Sequence, residues 1–172
     1  MSKIVATPLK LTAVDRESMA AFSACLQDAL TRVGEMVYRR KERRFVVTAN
    51  RYMWEMDHQQ ADAQNDDALH YRIRTGFHIN GVLGVQSQGL IQENPNGWIS
   101  LLAIELEGGS LEGPDHPDFD PDKDAGNIFL TLVFAAGGRI RLEVECIDCV
   151  MSDLDDAWIT RNQPDHEDIA KN

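Results

Sequence analysis

The sequence predicts an α+β protein made mostly of antiparallel strands, with one major N-terminal helix packed on the sheet. Apolar residues recur at every second position in the stretch 127–154, which is the period of a strand with one buried face. Apolar residues at three- and four-residue spacing after Asp15 predict the helix. Other strand-like runs lie between these segments, so we expect about eight strands in a strongly bent sheet or a partly open barrel.

The N-terminal elements are a strand within residues 4–14 and the helix that follows it. The Asp15 carboxylate can accept hydrogen bonds from the free amides of a first helical turn, so Asp15 is the predicted N-cap. The apolar spacing predicts about four turns, from Asp15 to about Val33, with Gly34 as the end of the helix. The residues that set this spacing are Met19, Phe22, Leu26, Ala29 and Val33.

Strand-like runs and turns follow the helix. Asn80-Gly81 suits a tight type I′ turn and predicts a hairpin within residues 71–90. A split, pleckstrin-homology-like barrel would satisfy this order of elements. The remaining predicted elements are strands at 35–38, 44–54 and 98–107 and a helical turn around Trp158.

The stretch 127–154 predicts a long hairpin and a continuing strand. Side-chain alternation favours a three-residue loop, Ala136 to Gly138, which pairs Phe134 with Ile140 and keeps both apolar sets on one face. Gly138 is the expected left-handed residue of that loop. We expect the second strand to bend at residues 146–148, where the alternation breaks.

Length and composition predict one domain over residues 1–172, because 172 residues of which 43% are hydrophobic can form one core. No signal segment occurs and no apolar run approaches the roughly 20 residues of a membrane span. We therefore expect a cytoplasmic location and no membrane association. Three cysteines, an odd number, do not indicate a disulfide framework, so we expect reduced thiols. Within the domain we expect an ordered core at about 9–158, polar loops at 57–69 and 108–126, and a polar tail at 162–172.

The charge of the chain argues against nucleic acid as a general partner. The net charge is −11, although residues 1–56 carry ten Lys and Arg against six Asp and Glu. Phosphate binding needs a basic footprint, which the acidic remainder of the chain lacks.

No motif predicts catalytic residues, a metal site or a cofactor. Cys146 and Cys149 have metal or redox spacing, but in a strand their odd offset sends them to opposite faces, and we expect all three cysteines to be buried as small apolar residues. The alternating aspartates at 118–124 lack the glycine and glutamate of a calcium loop. Whether the chain is an enzyme stays open, although the missing motifs argue against it.

Two polar groups are candidate binding residues. In one, charged and amide groups lie beside a tryptophan in strand-like runs, and they predict either a polar pocket or an ion-pair network between strands. In the other, a basic hairpin tip predicts either a phosphate or acidic-partner contact or a solvated hairpin end. The first group is Asn50, Arg51, Trp54, Glu55, Arg72 and Arg74, and the second is Arg39, Arg40, Lys41, Arg43 and Arg44.

Several ordered blocks of the chain resemble an uncharacterised family of alphaproteobacterial proteins that is known only as a domain of unknown function. The resemblance runs from about Leu9 to Trp158 as one domain, and it implies a bacterial cytoplasmic protein but no activity, cofactor or catalytic residue. The blocks are LQDALTRVGE (26–35), RRFVVTANRYMWE (43–55), RTGFHINGVLGVQSQG (74–89), LLAIELE (101–107) and FAAGGRIRLEVECIDC (134–149).

The leading functional hypothesis is a non-catalytic binding or regulatory module that contacts a protein partner or a second copy of itself. The first alternative is a small-molecule-binding protein or enzyme with a polar pocket near Arg51, Glu55 and Arg74. The second is nucleic-acid binding through the basic tip at 39–44.

Overall fold

The computed structural model describes residues 7–56, 69–90, 94–109, 126–161 and 164. An eleven-residue helix, ten strands and two short 3₁₀ turns occur in this part of the chain, residues 54–56 are also helical, and the structure is largely β with the longer helix packed on it. The elements are β1 Lys10–Ala13, α1 Arg16–Leu26, β2 Ala29–Arg39, β3 Arg44–Tyr52, β4 His70–Ile79, β5 Val82–Gln88, β6 Trp98–Glu107, β7 Ile128–Phe134, β8 Arg139–Val144, β9 Cys149–Asp153 and β10 Trp158–Thr160, with 3₁₀ turns at Arg40–Glu42 and Ala135–Gly137.

All ten strands belong to one antiparallel sheet, so the mostly antiparallel α+β prediction is confirmed, with ten strands instead of about eight. The strand order is β1-β9-β4-β3-β2-β6-β7-β8-β5, and β10 pairs with β4 beside β9. The larger hydrophobic cluster takes buried residues from both halves of this order, which shows that the open sheet bends around one core. Helix α1 packs on the core side, where the rings of Phe22 and Phe77 meet edge to face at 6.0 Å.

The start of α1 is as predicted, but its end is not. Asp15 is the N-cap, and it forms a capping box with Ser18. The helix ends at Leu26, seven residues before the predicted end, and residues 29–39 form β2. Asp28 takes a φ of 60° and donates its backbone N–H to the Leu101 carbonyl at 2.8 Å, which turns the chain into the sheet. The prediction failed because Ala29 and Val33 fit both a helical spacing and the period of a strand.

The β7–β8 hairpin keeps the predicted face but not the predicted register. Leu132 lies opposite Ile140, and the three loop residues are Ala135 to Gly137. The predicted pairing was shifted by two residues, and such a shift leaves every side chain on the same face, so alternation cannot detect it. The prediction for Gly138 was also wrong: its φ is −66°, while Ala136 and Gly137 have φ values of 61° and 83°.

Gly138 instead allows a close approach of neighbouring groups. A Cβ at this position would lie 2.8 Å from the Leu90 Cδ2 and 3.4 Å from the Phe134 Cβ. A larger residue at this position would therefore require the Leu90 side chain to shift, and the backbone of Gly138 is extended.

The bend predicted after the hairpin is confirmed, because the chain leaves β8 at Val144 and enters β9 at Cys149. Two other local predictions were wrong. Asn80-Gly81 does not close a hairpin: β4 pairs with β3, β9 and β10, whereas β5 pairs with β8. The residues around Trp158 form strand β10 against β4 instead of a helical turn, because the β4 edge at residues 70–72 accepts them.

The three cysteines are free thiols with different surroundings. Cys149 is fully buried, as predicted, and its sulfur lies 3.9 Å from that of Met19. Cys146 is exposed at the bend, so the prediction that it is buried was wrong, and Cys25 is half-buried. Burial raises the pKa of the Cys149 thiol to about 12. The aspartates at 118–124, most of the two long loops and most of the tail lie outside the described residues.

Candidate functional site

The alternation of β3 and β4 separates the residues of the first predicted group. Odd-numbered positions on both strands are buried on the core side, and Arg51 is one of them. Asn50, Arg72 and Arg74 occupy even-numbered positions and face the opposite side of the sheet. The structure thus places Arg51 and Arg74, which the sequence suggested as parts of one pocket, on opposite faces.

Arg51 and Asp153 form a buried, bidentate ion pair between β3 and β9. Arg51 Nε and Nη2 donate to the two Asp153 oxygens at 2.8 Å each, and both side chains are 0% exposed. Asp153 also accepts hydrogen bonds from Thr75 Oγ1 at 2.6 Å and from the Leu9 backbone N–H at 2.8 Å. Both carboxylate oxygens of Asp153 are therefore satisfied. Because the partners lie on β3, on β4 and in the segment before β1, the network joins these parts of the chain to β9.

The pKa shifts of this network agree with a structural role. Burial alone would lower the pKa of Arg51, but its hydrogen bonds to Asp153 and Glu55 raise it above its usual value. Burial would raise the pKa of Asp153, and the hydrogen bonds from Arg51, Thr75 and Leu9 outweigh this and lower it. Both groups are held in their charged forms, so neither is set up to exchange a proton near neutral pH.

Trp54 and Glu55 follow β3 and support the same region. Glu55 accepts from Arg51 at 2.7 and 3.1 Å, and its side chain is 43% exposed. The Trp54 ring packs on the Tyr52 ring with centroids 4.5 Å apart, and its Nε1 donates to the Gln27 carbonyl at 3.3 Å. Their contacts connect the end of β3 to the arginine network and to the end of α1.

A groove crosses the face of the sheet opposite α1, and we call it the tryptophan groove. It has a volume of about 570 Å³ and passes over five neighbouring strands in the order β10-β4-β3-β2-β6. Five strands span about 19 Å at roughly 4.8 Å per spacing. Its lining residues are Trp158, Thr160, Arg72, Asn50, Leu30 and Trp98.

Arg72 forms the floor of the tryptophan groove near its β10 end. Only 7% of the residue is exposed, and its Nη1 donates to the carbonyl oxygens of Asp28 and Asn50 at 3.0 and 3.1 Å. Its guanidinium also lies 5.5 Å from the centroid of the Tyr52 ring. Burial lowers the pKa of Arg72, and the charge of nearby Asp28 opposes that shift.

The two ends of the groove are half-exposed tryptophans, Trp98 at 49% and Trp158 at 40%. The guanidinium of Arg32 lies over the Trp98 ring, 4.3 Å from its centroid. The turn before Trp98 is fixed by a hydrogen bond of 2.9 Å from the Gly34 N–H to the Pro95 carbonyl. A Cβ on Gly34 would lie 3.1 Å from the same oxygen, so any other residue here would require the Pro95 carbonyl to move by a few tenths of an ångström.

Sequence reasoning found two groove residues, Asn50 and Arg72, and missed both tryptophans at its ends. A tryptophan at an outward-facing strand position was a signal for a binding residue. The pairing of β6 with β2 and of β10 with β4 brings the two tryptophans to the groove, and local sequence patterns do not predict that pairing. Arg74 lies beside the groove on the same face, where it forms an ion pair of 3.0 Å with Glu35.

The basic tip lies at the opposite end of β3, and most of its arginines contact acidic or amide groups. Arg39 pairs with Glu42 at 3.3 Å, and Arg43 pairs with Glu145. Arg44 Nε donates to Asn80 Oδ1 at 2.8 Å. Arg40 and Lys41 are exposed on the 3₁₀ turn. These contacts fix the hairpin against the corner before β9 and compensate part of its positive charge.

A second, polar groove of about 490 Å³ lies on β5, β8, β7 and β6. Its arginines are also paired, Arg139 with Glu105 at 3.6 Å and Arg141 with Glu107 at 3.2 Å. Within the described residues, no three His, Cys, Asp or Glu side chains come together in a way that could hold a metal ion. None of the described helical segments is long and apolar enough to cross a membrane.

Comparison with protein families matches residues 9–166 to a family described as a protein of unknown function, DUF2948. Comparisons with curated proteins and with solved structures give no match. The family match confirms the predicted resemblance to a domain of unknown function and covers most of the chain. The chain therefore belongs to the DUF2948 family, whose function is unknown.

Proposed function

We propose that this protein is a non-catalytic binding protein that holds an extended segment of a partner protein in the tryptophan groove. The observation that carries the proposal is the pair of half-exposed tryptophans at the two ends of one concave surface. Tryptophan and arginine are the residues most often responsible for binding energy at protein interfaces, and Arg72 lies between the two tryptophans.

The shape of the groove favours a peptide segment over a small molecule. Small-molecule pockets bury most of their ligand, whereas the two end residues of this groove, Trp98 and Trp158, are themselves half exposed to solvent. A span of about 19 Å matches about six residues of extended chain at roughly 3.3 Å per residue. The long axis also runs across the strands, so the bound segment would contact side chains from five of them.

We place this binding in the cytoplasm as part of the proposal. Three free thiols, one of them exposed, fit a reducing compartment better than an oxidising one.

The test is selection from a phage-displayed library of random peptides on the purified full chain. We expect selected peptides to be apolar near both ends, and a Trp98→Ala, Trp158→Ala double variant to lose most of their affinity. Ile159→Ala is the matched control, because Ile159 is 57% exposed on the same strand as Trp158 but points to the other face.

Three outcomes would overturn the proposal. The selection could enrich no peptide, or the double variant could bind the selected peptides as tightly as the original chain. A homodimer that the double variant dissociates in sedimentation experiments would instead make a second copy of the chain the occupant of the groove.

A further inference from the structure

We infer that the segment bound in the tryptophan groove carries an acidic side chain that pairs with Arg72. The inference rests on the proposed function and adds the chemical class and the spacing of the ligand. It starts from how Arg72 is held, since the residue is more than nine-tenths buried and lines the groove.

The hydrogen bonds of Arg72 use one of its three nitrogens. Nη1 donates to two carbonyl oxygens, while Nε and Nη2 form no hydrogen bond with any residue that the structure describes. In the same part of the chain, no carboxylate lies within ion-pair distance of Arg72, and the nearby Asp28 charge compensates its guanidinium only from farther away, whereas Arg51 binds two carboxylates directly. A guanidinium edge with unused donors in a partly dehydrated groove is suited to a carboxylate, which can accept two parallel hydrogen bonds.

The neighbouring residues add to this preference. Arg32 lies over Trp98 at the other end of the groove and forms no ion pair with the described residues, so a second positive charge lies next to that end. The side-chain amide of Asn50 lies beside Arg72 and can donate to an oxygen of the ligand. A lysine or arginine of the ligand at the same place would meet like charge in a low-dielectric setting.

The strand order gives the spacing of the ligand residues. Trp158 lies directly opposite Arg72, one strand away, while Trp98 is three strands away, or about 14 Å. In an extended segment, alternate side chains face the groove, about 6.6 Å apart. In the matching ligand, an apolar residue contacts Trp158, an acidic residue two positions later contacts Arg72, and a second apolar residue four positions after that contacts Trp98.

The test compares two nine-residue peptide libraries that differ at one place. Both carry apolar residues at the second and eighth positions and uncharged residues elsewhere, and the fourth position is Glu in one and Gln in the other. We expect fluorescence anisotropy to show about tenfold or tighter binding for the Glu library, as for other charge-assisted hydrogen bonds. Because this comparison uses the unaltered chain, it does not depend on the folding of a variant.

The matched variants are Arg72→Met and Arg74→Met, two arginines on the same face of β4. Arg74 pairs with Glu35 outside the groove lining, so its replacement should leave the preference for Glu intact. Arg72→Met should bring the ratio of the two affinities close to one while apolar binding remains.

The outcomes separate this inference from the proposed function. Equal binding of the Glu and Gln libraries, or a preference that Arg74→Met abolishes as fully as Arg72→Met, would refute the acidic ligand and leave the binding function standing. If neither library binds at all while the chain is folded, the peptide-binding function and this inference both fail.

Discussion

Replacing Asp153 with alanine removes the centre of the buried network and leaves the Arg51 guanidinium, which is 0% exposed, without its bidentate partner. The change also leaves Thr75 and the Leu9 backbone without their acceptor. Breaking a buried ion pair by removing one partner costs about 3–5 kcal/mol of the free energy of unfolding. For a chain of this size that corresponds to a fall in Tm of about 6–20 °C.

The measurement is urea unfolding followed by circular dichroism, with Glu55→Gln as the control. Glu55 contacts the same guanidinium, but its side chain is 43% exposed, so its loss should cost no more than about 1 kcal/mol. A double variant, Arg51→Met with Asp153→Leu, should be less destabilised than Asp153→Ala, because it leaves no unpaired charge in the core.

The structural reading of this network would be refuted if Asp153→Ala and Glu55→Gln lost similar amounts of stability, or if Asp153→Ala lost less than about 1 kcal/mol. It would also be refuted if Asp153→Ala remained folded and abolished peptide binding, since the network lies on the face opposite the tryptophan groove.

Three further predictions follow from local geometry. The pKa of Asp153 lies below its ordinary value of 3.8, so its contribution to the free energy of unfolding is complete above that pH and is lost as the pH falls further. The difference in unfolding free energy between the original chain and Asp153→Asn should therefore be constant near neutral pH and shrink below about pH 3.8. A thiol reagent should modify exposed Cys146 quickly in the native protein and reach Cys149 only after denaturation, since burial raises the pKa of Cys149 to about 12; rapid modification of both would contradict this. Ala136→Gly should raise the free energy of unfolding by about 0.5–1 kcal/mol in urea titrations, because φ is 61° there; a loss of stability would show that the alanine is not strained.

The start of α1 could be predicted from the sequence because its cause is local. Asp15 and Ser18 lie three residues apart and satisfy each other's backbone amides whatever the rest of the chain does. The end of the helix depends on a hydrogen bond from Asp28 to Leu101, more than seventy residues away in sequence, and no local pattern contains it. The same limit applies to β10, which forms because it pairs with β4.

The candidate site was predictable only in part, for a related reason. Asn50 and Arg72 stood out as polar residues within strand-like runs, and both line the tryptophan groove. Trp98 and Trp158 come from strands that the chain reaches much later, and only the order of β10-β4-β3-β2-β6 brings them to the two ends of one surface. The polar or charged character of a residue was visible in the sequence, but its neighbours were not.

The alternation of β3 determines both the stability network and the groove, because adjacent residues face opposite sides of the sheet. Arg51 points to the core, where Asp153 compensates its charge, and Asn50 points to the groove beside Arg72. A shift of β3 by one residue would put an arginine in the open groove and an amide opposite the buried carboxylate. The buried ion pair therefore favours the one register that also forms the groove, which links the stability of this region to the arrangement that we propose for binding.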